Sequence, residues 1–155
     1  MHLIVYVSDC AVPDGELKNT LEEVDADSRR NNAAADLTGV LFCENRHFLQ
    51  VLEGEEDALR AAMARIEKDH RHRNIEILVD QSIESRSFPD WSLDTFFIDD
   101  PELLTPETLR SLRDIYFKHF ELDARDLVAF LKRIIDEIDS FKILHRPNTT
   151  NDVPP

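Results

Sequence analysis

The chain has 155 residues, 42% of them hydrophobic, and a formal net charge of −14. That charge argues against nucleic acid and anionic membranes as direct partners. Three glycines leave little room for a glycine-rich phosphate loop, and the length suits one domain with a real core.

No apolar run approaches the length of a membrane span, and no signal peptide opens the chain. Cys10 and Cys43 are isolated and read as the reduced thiols of a cytoplasmic protein. The segment from about His145 to Pro155 is rich in Pro, Asn, Thr and Asp and reads as a loose tail.

His2 to Ser8 reads as a first strand, with Leu3, Val5 and Val7 on one face and Ile4, Tyr6 and Ser8 on the other. Ala11 to Gly15 is a turn. Leu17, Leu21 and Val24 then recur at helical spacing, predicting a helix to about Arg30 that stops at Asn31-Asn32. Leu37 to Cys43 is a second strand, joined through Glu44-Asn45-Arg46 to a third, Phe48-Leu49-Gln50-Val51-Leu52-Glu53-Gly54. In that third strand Gln50 shares a face with Phe48 and Leu52. A carboxamide on a half-buried face needs partners, since leaving it unpaired costs roughly 1–3 kcal/mol. Water or backbone could satisfy it, or a ligand lying on that face.

Glu55 to Lys68 is a second helix with Leu59, Met63 and Ile66 on its apolar stripe. Arg65 and Asp69, four apart, would share a helical face, and His70-Arg71-His72-Arg73 would close the helix. A His-x-His metal site is conceivable there, but no third ligand is evident. Asn74 to Ile83 is a fourth strand, Phe88-Pro89-Asp90-Trp91 a turn, and Trp91 to Ile98 a fifth strand. The order strand, helix, strand, strand, helix, strand, strand is a βαββαββ pattern. It predicts an α+β, ferredoxin-like sheet with both helices on one face. The other face is also apolar and needs cover. Two C-terminal helices supply it, one opened by Thr105-Pro106 and one carrying Leu127, Phe130, Leu131, Ile134 and Ile138. They form a hairpin packed on the sheet or at a subunit interface.

Taken together, these motifs resemble the BLUF proteins, blue-light photoreceptors that bind a flavin. The resemblance rests on Leu3-Ile4-Val5-Tyr6-Val7-Ser8, Arg30-Asn31-Asn32, Leu37-Thr38-Gly39-Val40-Leu41 and the Gln50 strand. It continues through Arg65-Ile66, Asp69-His70-Arg71-His72 and Arg86-Ser87-Phe88-Pro89-Asp90-Trp91-Ser92-Leu93. With the two C-terminal helices, the chain looks like the short, stand-alone, PixD-like type. The resemblance implies a flavin domain over residues 1–98, a helical extension over 99–141 and a flexible tail over 142–155. It implies one non-covalently bound FAD held between the two helices.

It further implies that Tyr6 is the photoactive tyrosine and Gln50 the switching glutamine, with Ser8, Trp91 and Leu93 nearby. Asn31 and Asn32 would contact the ring's carbonyl edge, Arg65 and Asp69 its polar atoms and the ribityl chain, and Ile66 and Val24 its faces; His72 would be a neighbour. Blue light would draw an electron and then a proton from Tyr6 by way of Gln50, leaving Gln50 turned or tautomerised. Two residues depart from the family's usual pattern: Leu93 stands where methionine is common, and Asp36 where glycine is usual. The output would be protein–protein contact, in a homo-oligomer or with a downstream signalling protein, and not enzymatic. Two rival readings use the same fold. One is an acylphosphatase-like small-molecule enzyme, for which no anion cradle is visible. The other is a regulatory module without a cofactor.

Overall fold

The computed structural model describes residues 1–44, 46–90, 93–97, 129 and 142–143. The first strand, β1 (His2–Cys10), is buried at every position from His2 to Val7, so both of its faces are covered. That places it inside a sheet rather than at an edge. The other elements are α1 (Leu17–Ala34), β2 (Thr38–Glu44), β3 (His47–Gly54), α2 (Glu56–Ile66), β4 (His72–Ser82), β5 (Asp94–Phe97) and β6 (Lys142–Ile143). The sheet order is β4-β1-β3-β2-β5-β6. The β4, β1, β3 and β2 strands run antiparallel to their neighbours, and β5 joins β2 in parallel. This is the ferredoxin-like arrangement, extended by β5 and by the short β6, which pairs antiparallel with β5.

Both helices pack on one face. Ile4, Tyr6 and Leu52 of the sheet meet Leu59, Ala62 and Met63 of α2. Leu41, Cys43 and Phe48 meet Leu21 and Val24 of α1, together with Leu93. The strand alternation read from the sequence is therefore correct, and Gln50 points to the helix side with Tyr6. On the opposite face Leu3, Val5, Val7, Val40, Phe42, Leu49 and Val51 are buried as well. The C-terminal helical hairpin expected as its cover lies outside the described residues, as do Trp91 and Ile98 of the fifth strand.

Several element boundaries differ from those expected. The first helix does not stop at Asn31-Asn32 but runs on to Ala34, because alanines follow and alanine favours the helix most. It closes at Asp36, which takes the left-handed conformation (φ 51) while the Leu37 N–H donates to the Asn32 carbonyl at 2.9 Å. The glycine usual at that point is thus replaced by one of the few residue types that tolerate the geometry. The second helix ends at Ile66, earlier than Lys68, so Asp69 lies beyond it rather than on its face. His72 and Arg73 belong to β4 and do not close a helix. Lys142 and Ile143, at the start of the expected tail, are strand.

Two features hold the sheet's connections in place. Glu53, fully buried three residues after Gln50, accepts the backbone N–H groups of Ser87 and Phe88, each at 2.9 Å. That anchors the connection between β4 and β5 to a central strand. In β2, Gly39 lies so close to β3 that a Cβ there would sit 1.9 Å from the Val51 carbonyl oxygen. Gly39→Ala must push the two strands apart, so it is expected to destabilise the protein by about 1–3 kcal/mol or more. A urea-unfolding midpoint equal to that of the wild type would show that the strand pair yields freely.

Candidate functional site

The two helices leave an open cleft above the centre of the sheet. Each wall is one helical stripe. From α1 come Val24, Asp27, Ser28 and Asn31, with spacings of three and four, and then Asn32. From α2 and the turn after it come Ala62, Arg65, Ile66 and Asp69. Gln50 lines the cleft from the sheet, and Arg71 and His72 complete it. Eight of the nine residues expected to bind the cofactor (Val24, Asn31, Asn32, Gln50, Arg65, Ile66, Asp69 and His72) therefore converge. Tyr6 lies one layer deeper, directly beside Gln50.

Tyr6 and Gln50 are opposite one another in the β1–β3 ladder, which is why their side chains meet. The Tyr6 hydroxyl donates to Gln50 Oε1. Both side chains are buried, Tyr6 fully. Burial, reinforced by the Asp69 carboxylate, holds the Tyr6 phenol far above its ordinary range. It is a neutral donor at any ordinary pH. The amide NH₂ of Gln50 makes no hydrogen bond to a described residue. With its oxygen engaged by Tyr6, Gln50 turns its amide NH₂ to the open cleft, where a ligand or water can accept from it.

His72 lies against Phe48 (centroids 4.9 Å apart) and edge-on to Tyr6 (6.5 Å). Its Nδ1 is hydrogen-bonded to Ser8 Oγ at 2.9 Å. Burial pushes its pKa down to about 4, so the ring is neutral beside the tyrosine. His70 points into solvent, its side chain 90% exposed, so the two histidines of the His-x-His motif do not converge. Among the described residues no cluster could hold a metal ion.

The sequence reading missed Arg71 and Asp27. Asp69 does not pair with Arg65. It accepts from the Arg71 backbone N–H at 2.9 Å, from Nε at 2.9 Å and from Nη2 at 2.6 Å. Desolvation alone would raise the Asp69 pKa; the Arg71 hydrogen bonds and charge outweigh it and hold the carboxyl below its ordinary range. Arg71 Nη2 also reaches Asp27 on α1 at 3.1 Å, bridging the two walls. Asp27 was detectable from its place on the Val24–Asn31 stripe; the Arg71 bridge spans 44 positions and leaves no local trace. Arg65 has no ionic partner among the described residues and remains available to a ligand. Leu93 is fully buried against Val24, Leu41 and Phe48. Trp91 lies outside the described residues.

This donor set fits a flavin. Val24 and Ile66 offer apolar surface to the faces of a flat ring, while the Asn31, Asn32 and Gln50 amides and the Arg65 guanidinium suit its carbonyl edge and polar chain. No phosphate cradle of backbone N–H groups and no nucleophile with a partnered base is seen among the lining residues, which disfavours the hydrolase reading.

Comparison with known proteins agrees. Residues 1–94 match the family model described as "BLUF: Sensors of blue-light using FAD". The Escherichia coli blue light- and temperature-regulated antirepressor BluF is 32% identical over 85 residues, which cover 55% of this chain and 21% of that protein. The dark-state structure of BlrB, a BLUF protein, is 27% identical, with a TM-score of 0.66 over 86% of this chain and 93% of BlrB. A bacterial light-regulated adenylyl cyclase is 28% identical, with a TM-score of 0.60 over 76% of this chain but only 34% of the cyclase. The chain thus spans about a fifth of the curated relative and a third of the cyclase, and the likeness to both lies in the light-sensing fold. The chain belongs to the BLUF family of blue-light sensors that use a bound flavin.

Proposed function

We propose that the Tyr6–Gln50 hydrogen bond is the light-operated switch of this photoreceptor. The observation that carries the reading is one residue with two ends: Gln50 accepts from a buried phenol and offers a donor to the cleft. A bound flavin supplies blue-light absorption and, once excited, a strong electron acceptor. Tyr6 is an oxidisable group beside Gln50, just below the cleft, and oxidising a phenol makes its proton strongly acidic. Among the described residues the hydrogen-bond partner of that proton is Gln50 Oε1. A carboxamide that receives a proton at oxygen can give one up at nitrogen, or turn, so the ends it offers to Tyr6 and to the cleft are exchanged. The neutral His72 and Ser8 next to Tyr6 place no cation at the switch to compete for the phenol's electron density.

FAD is the form proposed, held by Asn31, Asn32, Arg65 and Asp69, with Arg71 keeping Asp69 and Asp27 in place across the mouth. The reading is of a cytoplasmic sensor with no catalysis of its own. It signals through Trp91, Leu93 and the C-terminal segment to a second copy or to another protein, which the net charge of −14 favours over nucleic acid or anionic lipid. No helix among the described residues is long and apolar enough to cross a membrane.

Two tests follow. Heat or acid should release a single intact flavin, identified by chromatography as FAD; riboflavin or FMN alone from protein expressed with ample FAD would overturn that choice. Asn32→Ala should weaken flavin retention about tenfold or more, because a ring carbonyl loses its donor at about 1–3 kcal/mol.

Tyr6→Phe and Gln50→Leu separate the roles of the two switch residues. The first preserves ring shape without the hydroxyl; the second preserves bulk without the carboxamide. Both should remain yellow, because the cleft walls still hold the flavin, and neither should show the reversible spectral change of the wild type under blue light. A Gln50→Leu protein that responds and recovers like the wild type shows that the carboxamide is not the switch.

A further inference from the structure

The helix-facing row of side chains that begins at Tyr6 continues past Gln50. Tyr6 is opposite Gln50 in the β1–β3 ladder, Gln50 is opposite Leu41 in β2–β3, and Leu41 is opposite Thr95 in β2–β5. Side chains directly opposite one another point to the same face of a sheet. Tyr6, Gln50, Leu41 and Thr95 therefore form one transverse row across four strands, with all four buried.

At the far end of that row stands a buried charge. Asp25, on α1 and only 2% exposed, accepts a 2.5 Å hydrogen bond from Thr95 Oγ1. Arg29, one turn on, pairs with the same carboxylate at 3.2 Å. A carboxylate taken out of water is costly unless it is paired and hydrogen-bonded. Neither partner lines the cleft, so this is not ligand-binding chemistry. Its position is specific, however. Asp25 follows Val24, which lines the cleft and packs on Leu41 and Leu93. Thr95 is two residues beyond Leu93. The bond thus closes a ring of contacts running from the cleft to Val24 and Asp25, to Thr95, and back through Leu41 to Gln50.

We infer that Asp25 and Thr95 are positioning residues that latch the cleft wall α1 to β5, and that a change at Gln50 reaches β5 along the row through Leu41 and Thr95. The inference rests on the photoreceptor reading above. In the proposed switch Gln50 has two hydrogen-bonding arrangements, and its in-row neighbour Leu41 packs in one buried cluster with Val24 and Leu93. Rearranging Gln50 alters what Leu41 packs on. The directional, charge-assisted bond at Thr95 then favours one placement of β5 over α1, which is the discrete response a relay requires. A purely apolar contact at that point would slide.

The test is light-minus-dark backbone hydrogen exchange of residues 93–97 and 17–34, recorded with the absorbance change in the same samples. Wild type, Thr95→Val and Thr95→Ser are compared. Wild type and Thr95→Ser should show a light-dependent exchange difference in β5. Thr95→Val should keep its flavin and its spectral response yet lose that difference by about threefold or more. Asp25 keeps its pairing with Arg29 in Thr95→Val; if that variant nevertheless fails to fold, Thr95→Ala, which also removes the hydroxyl, should lose the difference in the same way. A normal difference in either variant, or no difference in a wild type with a normal spectral response, overturns the coupling. A wild type without any spectral response overturns the photoreceptor reading and the coupling with it.

Discussion

A hydrogen bond between two buried neutral groups, Tyr6 and Gln50, sits at the centre of the sheet, and the architecture around it is what makes it usable. In water a phenol and a carboxamide exchange partners freely, and their mutual bond contributes little. Here β1 and β3 are the inner strands, both faces are covered, and the ladder sets the two residues opposite one another. Among the described residues the phenol's hydrogen-bond partner is the glutamine, and the glutamine in turn lines the cleft. Burial serves the chemistry twice: it keeps Tyr6 protonated and His72 neutral, so a charge produced by light would be the only new one in the neighbourhood.

The cleft shows a division of labour between apolar and polar parts. Val24, Ala62 and Ile66 give a flat ring somewhere dry to lie, and the amides and Arg65 give its edge specific partners. The charges nearest the mouth are arranged differently. Asp27, Asp69 and Arg71 engage one another across the two walls, so their net effect is to fix the spacing of α1 and the turn after α2 rather than to add a strong field at the switch. Outside the cleft, Glu53 anchoring Ser87 and Phe88 and Asp25 holding Thr95 both use a buried carboxylate to fix the segments around β5. A polar anchor is more directional than the apolar packing around it.

How much of this was legible in the sequence follows from the range of each interaction. Alternation in His2–Ser8 and Phe48–Gly54 located the two inner strands and the face shared by Tyr6 and Gln50, because strand periodicity is local. The stripes Leu17–Val24 and Leu59–Ile66 located both helices for the same reason. Helix ends were less legible: Asn31-Asn32 looked like a stop, yet the alanines after it and the left-handed Asp36 moved the end by a turn. Asp69 looked like Arg65's partner at helical spacing, but α2 ends at Ile66 and Arg71 takes the carboxylate. The Arg71–Asp27 and Asp25–Thr95 pairs span 44 and 70 positions, and nothing in the local pattern of either residue announces the other. The assignment of the cleft residues came from the family resemblance; their convergence in one cleft is the independent physical result.

The most direct test is the absorbance of the purified, flavin-loaded wild type before, during and after blue illumination. A modest red shift of the flavin bands that decays fully in darkness, with no lasting bleaching and no covalent adduct, is the expected result, because a new donor at the ring edge lowers the excitation energy without changing the oxidation state. An unchanged spectrum, or one that bleaches and stays reduced, would contradict a reversible hydrogen-bond switch between Tyr6 and Gln50.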